Sequence, residues 1–155
     1  MQNLFLSLFA FSLLFTLNSC HTIKPISEGS TGANEMLYNY KWYLTDLEGK
    51  PYTFAGRDND YTYLLFNAGS PAKVSGFTGC NRLTGSVEFK GVNFLKFSPL
   101  ATTKMACPGN TESTLLNVLT SVNNYSITNN QLLLNNGKIL VAKLNGVSME
   151  TSKLN

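Results

Sequence analysis

Gly76-Phe77-Thr78-Gly79-Cys80-Asn81-Arg82-Leu83-Thr84-Gly85 places three glycines, an Asn and a thiol between two strand-like runs. Glycines spaced three and six apart permit positive φ or a close backbone approach, and Asn81 tolerates the left-handed region. The stretch reads as a strand-to-strand turn whose partner is Lys104-Met105-Ala106-Cys107. As a binding loop it would use Gly76, Gly79, Asn81, Arg82, Gly85 and Lys104, with an anion held by backbone N–H groups and Arg82. It is not a nucleotide phosphate loop, because it lacks the Gly-Lys-Ser/Thr ending and no βα unit precedes it.

Upstream, Asn39 to Leu47 alternates as a strand with Tyr40, Trp42 and Leu44 on one face and Lys41, Tyr43 and Thr45 on the other. Trp42, the only Trp, is expected in the core. Glu48-Gly49-Lys50-Pro51 ends this strand, and after the polar Arg57-Asp58-Asn59-Asp60 a second strand is expected over Tyr61 to Asn67. Asp58 and Asp60 do not make a calcium loop, since the Gly and distal Glu of the twelve-residue pattern are missing. Ala68-Gly69-Ser70-Pro71 is a turn, and Ala72 to Thr78 is a third strand leading into the opening stretch.

Downstream, Ser86 to Lys90 and Asn93 to Phe97 read as strands around Gly91, and Ser98-Pro99-Leu100 leaves the sheet. Residues 112 to 123 are expected to be helical, because Leu115, Leu116, Val118, Leu119 and Val122 recur on one side. Asn110 or Thr111 can cap this helix, and Glu112 suits its first turn. Tyr125 to Thr128, Gln131 to Leu134 and Lys138 to Leu144 are three further strands, linked by Asn129-Asn130 and by the hairpin signal Asn135-Asn136-Gly137.

At the N-terminus, Leu4 to Leu17 is almost wholly apolar but shorter than the roughly 20 residues that cross a bilayer as a helix. It fits the h-region of a secretory signal, although Met1-Gln2-Asn3 carries no Lys or Arg. Leu17-Asn18-Ser19-Cys20 resembles a lipobox, which makes Cys20 the lipidated first mature residue. His21 to Asn34 has the composition of a flexible tether. The expected organisation is a signal peptide over 1–19, a lipidated tether over 20–37, one domain over 38–147 and a polar tail over 148–155.

Assigning Cys20 to lipid leaves Cys80 and Cys107 as a pair, and in an exported chain two thiols favour a disulfide; the alternative is two separately buried thiols. A bridge closing 28 residues would add roughly 3–4 kcal/mol in the chain-entropy model.

The net charge of +3 comes from 12 basic and 9 acidic residues scattered without blocks, which gives nucleic-acid binding no footing. The only His is His21, in the tether, so the domain has no imidazole for triad, general-base or zinc chemistry. No Gly-x-Ser-x-Gly elbow occurs. A non-catalytic protein without metal or cofactor is expected. The competing readings are a carrier of a small apolar ligand, suggested by ten Phe and seven Tyr, and a thiol-dependent redox protein using Cys80 and Cys107.

Trp42 with Leu44 and Gly49, the Gly76 to Gly85 stretch, and Ala101-Thr102-Thr103-Lys104-Met105-Ala106-Cys107 together resemble the META-domain (HslJ-like) bacterial lipoproteins over about 38 to 147. The resemblance implies an α+β fold: a single curved, mainly antiparallel sheet of about seven to eight strands, partly barrel-like, with one main helix packed on it. It also implies a cell-envelope location, an association with stress tolerance in some members and no established catalytic site; a monomer that binds an unknown envelope protein or small ligand is expected. Because His21 is not the Asp that retains lipoproteins at the inner membrane, the outer membrane facing the periplasm is the expected location.

Overall fold

The computed structural model describes residues 31–53, 61–107 and 109–150, with side chains from Glu35 onward. The leader, Cys20, His21 and the Arg57-Asp58-Asn59-Asp60 loop lie outside the described residues. The element order is α1 (Thr31–Asn39), β1 (Tyr40–Leu47), β2 (Lys50–Pro51), β3 (Tyr63–Asn67), β4 (Ala72–Phe77), β5 (Arg82–Lys90), β6 (Phe94–Phe97), β7 (Ala101–Thr102), α2 (Thr111–Ser121), β8 (Asn124–Thr128), β9 (Gln131–Asn136) and β10 (Ile139–Ser148).

The strands form one antiparallel sheet in the order β10-β9-β8-β6-β5-β4-β3-β1-β2, with β7 on β5. A further pairing of β1 with β10, from Tyr40 opposite Ser148 to Leu47 opposite Ala142, bends the sheet into a ring. Between β6 and β8 the ladder is the single pair Phe94 and Asn124, so the sheet is ring-like without being a true barrel. The fold is α+β, as expected. The count of ten strands includes two two-residue strands, β2 and β7, whose sequences are too short to show alternation.

The period-two pattern decides which face turns inward. Trp42 and Leu44 on β1, Leu64 and Phe66 on β3, Val74 on β4, and Leu83 and Val87 on β5 all enter one core, which Leu115, Val118 and Leu119 of α2 also join. Trp42 is fully buried and its indole N–H donates to the Leu37 carbonyl at 3.0 Å.

That bond corrects the expected tether. Chain that should have been flexible through residue 37 is helical from Thr31, and Leu37 lies in the core. A nine-residue helix is unstable alone; burying a Leu side chain adds about 1.5–3 kcal/mol and makes α1 part of the domain. At the other end β10 runs through Ser148, and Met149 N–H donates to the Asn39 carbonyl at 3.0 Å, so the polar tail begins later than residue 148.

Two local expectations also shift. The last hairpin turns on Gly137-Lys138, with Asn135 and Asn136 inside β9, because Asn123 and Asn124 side chains hydrogen-bond Asn136, Gly137 N–H and the Gly137 carbonyl. Asn110 occupies the α2 N-cap position without a side-chain cap; its carbonyl instead accepts from Ser113, Thr114 Oγ1 and Thr114 N–H.

Candidate functional site

The stretch from Gly76 to Gly85 is more regular than its composition suggests. Gly76 and Phe77 finish β4, Arg82 to Gly85 begin β5, and only Thr78 to Asn81 make the turn. The turn locks itself: Thr78 N–H donates to the Asn81 carbonyl at 2.8 Å, and Asn81 N–H donates to Thr78 Oγ1 at 2.9 Å. Gly79 sits at φ +94°, the region that favours glycine.

Asn81 is buried, at 2% exposure, and its side chain is the hub of the site. Oδ1 accepts from Thr103 Oγ1 at 2.7 Å and from Met105 N–H at 2.8 Å. Nδ2 lies 3.3 Å from the Met105 carbonyl, 3.2 Å from Glu112 Oε1 and 2.9 Å from Cys107 Sγ, so two N–H groups serve three acceptors. The Thr78 hydroxyl donates to Glu112 Oε2 at 2.5 Å, a short charge-assisted bond. Among the described residues, every buried side-chain nitrogen and oxygen has a partner.

Glu112 is delivered by the first turn of α2, where a carboxylate also suits the helix dipole. Thr103 extends the β5–β7 pairing, since its N–H donates to the Arg82 carbonyl and its hydroxyl accepts from Arg82 N–H, both at 3.1 Å. Cys80 and Cys107 form a disulfide across 5.9 Å between Cα atoms. The turn, the 103–107 segment and the helix start are thereby joined by one covalent bond and one polar network.

The expected site residues divide into two groups. A Cβ on Gly76 would run into the Tyr63 carbonyl, and one on Gly85 would meet Leu100 Cδ2 at 2.6 Å, so both glycines serve strand packing. Asn81 faces inward. Arg82 and Lys104 are exposed, and so are Thr103, Met105 and Ala106. The N–H groups of Thr78, Asn81 and Arg82 all donate within the protein, which removes those three from the anion cradle expected of the loop. Thr78, Thr103 and Glu112 belong to the site although the expected set lacks them. The available signal was Thr78 three positions before Asn81, a spacing suited to local side-chain bonding.

A ring of antiparallel strands with one main helix and a disulfide-stapled surface segment is the class this geometry defines. The chain belongs to the META domain family, whose model matches residues 35–146. It is similar to two structures solved by NMR. One shares 25% identity with a TM-score of 0.56 over 74% of this chain and 95% of that chain. The other, from Burkholderia xenovorans, shares 26% identity with a TM-score of 0.53 over 80% of this chain and 97% of that one. No curated protein matches the chain.

Proposed function

We propose that this is a lipid-anchored envelope protein, held through Cys20 at the outer membrane and facing the periplasm, that binds a partner protein through the Thr103–Cys107 segment without catalysis. The observation carrying this reading is a contrast within one segment. Its backbone is clamped by Asn81 and the disulfide and the Thr103 hydroxyl is tied into the same network, while Lys104, Met105 and Ala106 are exposed. An irregular segment fixed in shape and displayed outward has little ordering entropy left to lose on binding. Met105, 64% exposed, with Lys104 and Arg82 nearby in the fold, has the Met and Arg content enriched at protein interfaces.

The carrier reading is less favoured because Trp42, Phe66, Leu95, Leu132 and Leu134 fill the interior of the ring. The redox reading is less favoured because Asn81, Glu112 and the turn organise around the disulfide as a structural bridge. The anchoring part rests on the apolar Leu4 to Leu17 run followed by Leu17-Asn18-Ser19-Cys20.

The test is a photo-crosslinking residue at Met105 in the native envelope, with a second at Ile139 as a control. A discrete adduct from position 105 that is absent from 139 and lost in Lys104→Glu is expected; equal or absent adducts at both positions would remove the binding segment. Cys20→Ala is expected to release the protein from membranes, and a lipid-labelled Cys20→Ala product would end the anchoring reading.

A further inference from the structure

On the outer face of the ring, Tyr43 of β1 stands opposite Tyr63 of β3, and Lys41 stands opposite Leu65 two residues along the same strands. Tyr43 meets Tyr61 at 6.0 Å between centroids with planes at 90°, and Tyr63 at 6.2 Å with planes at 59°. The rings therefore form a corner instead of a flat platform. The Lys41 ammonium is seated on it, 3.8 Å from the Tyr63 centroid and 5.1 Å from that of Tyr43. Its pairing partners across the sheet are Val147 and Leu65, neither a carboxylate, and among the described residues the one ion pair is Lys90 with Glu88.

An ammonium resting on tyrosine faces shows that this corner accepts a cation, and aromatic corners are a general means of holding alkylammonium groups. Lys41 holds its place on a flexible four-carbon stem, through contacts that are weak at partly exposed sites. Displaced, the stem keeps the ammonium beside the corner, where it would face any anion attached to the entering cation. We propose that Tyr43, Tyr61 and Tyr63 form a binding site for phospho-amine groups, in which the ligand's ammonium replaces that of Lys41 and Lys41 turns to the phosphate. The same chemistry occurs in a zwitterionic lipid headgroup and in a free phospho-amine. Tyr61, 57% exposed, is the most exposed of the three rings.

The test uses the full chain in a maltoside detergent, titrated with phosphocholine, tetramethylammonium or inorganic phosphate while tyrosine ring resonances are followed by NMR. Phosphocholine is expected to bind tightest and to shift Tyr43, Tyr61 and Tyr63. Lys41→Met is expected to tighten tetramethylammonium binding by about two- to fivefold, the strength of the contact it removes, and to abolish the advantage of phosphocholine. Tyr63→Leu, and the more exposed Tyr61→Leu should the first fail to fold, are expected to weaken both organic ligands. Flotation with phosphatidylcholine or phosphatidylethanolamine vesicles, compared between wild type and Tyr61→Leu in the Cys20→Ala background, then separates the sources: Tyr61-dependent flotation identifies a lipid headgroup, and its absence beside soluble binding identifies a free phospho-amine. Unmoved tyrosine resonances, or a Lys41→Met variant with unchanged affinities for both cations, would overturn the proposal.

Discussion

The side-chain amide nitrogen of Asn81 lies 3.2 Å from Glu112 Oε1, across 31 residues of sequence. This contact joins the turn between β4 and β5 to the start of α2, and Thr78 reinforces it from the same turn. The stapled segment is thus held from the disulfide side and from the helix side.

Asn81→Ala removes both faces of the amide and leaves Met105 N–H without its acceptor. A loss of about 2–4 kcal/mol is expected, since a hydrogen bond contributes about 0.5–1.5 kcal/mol net and the bonds to Thr103, Met105 and Glu112 are lost together. Urea denaturation followed by Trp42 fluorescence measures this. Unchanged stability would show that the network is dispensable.

Glu112→Gln tests the charge with the shape nearly kept. One of the two acceptor oxygens becomes a donor facing Thr78 or Asn81, so a loss of about 1–3 kcal/mol is expected. Hydrogen exchange should quicken at Met105 N–H, and equal exchange in both proteins would contradict the clamp.

Replacing both bridged cysteines, Cys80→Ala with Cys107→Ala, is expected to cost about 3–4 kcal/mol by freeing the unfolded chain. A melting temperature matching the oxidised wild type would refute a stabilising role.

Gly76→Ala and Gly85→Ala should differ. At Gly76 the new methyl group meets the Tyr63 carbonyl, which is held in the β3–β4 ladder, whereas at Gly85 it meets the end of the Leu100 side chain, which can move. Overpacking costs about 1–3 kcal/mol, with Gly76→Ala at or above the top of that range and Gly85→Ala at or below the bottom. The reverse order in thermal melts would contradict this packing.

Burial raises the Tyr125 phenol above its ordinary value of 10.0, and Tyr38 adds to the rise. Above pH 10 the unfolded chain loses this proton while the folded chain keeps it, so the contribution is intact below pH 10 and is lost as pH climbs toward the raised folded value. Tyr125→Phe is expected to flatten that alkaline decline in denaturation midpoints measured from pH 9 upward. An unaltered decline would assign it to other groups.

Much of this fold was legible because it rests on local periodicity. Alternation around Trp42 and Val74 and the one-sided stripe from Leu115 to Val122 each identify the buried face. Thr31 to Asn39 was not legible: it contains Gly32 and Asn34 and has no apolar repeat, and it joins the core through Leu37, that residue's carbonyl bond to Trp42 and the packing of Tyr38 against Phe89. The cysteine pair could be read by counting thiols. The role of Asn81 could not, because an Asn in a glycine-rich stretch looks like a turn residue until Met105 and Glu112 arrive from distant sequence.

The pairing of Tyr40 with Ser148 has a consequence for how the chain is made. Synthesis delivers β1 first and β10 last, so one edge of β1, in the strand that carries Trp42, waits for its neighbour until nearly the whole domain exists. An open strand edge invites pairing with other chains. The nascent protein is therefore most exposed to misassembly just before its final ten-residue strand arrives, and protection during that interval matters more here than for a sheet zipped in sequence order.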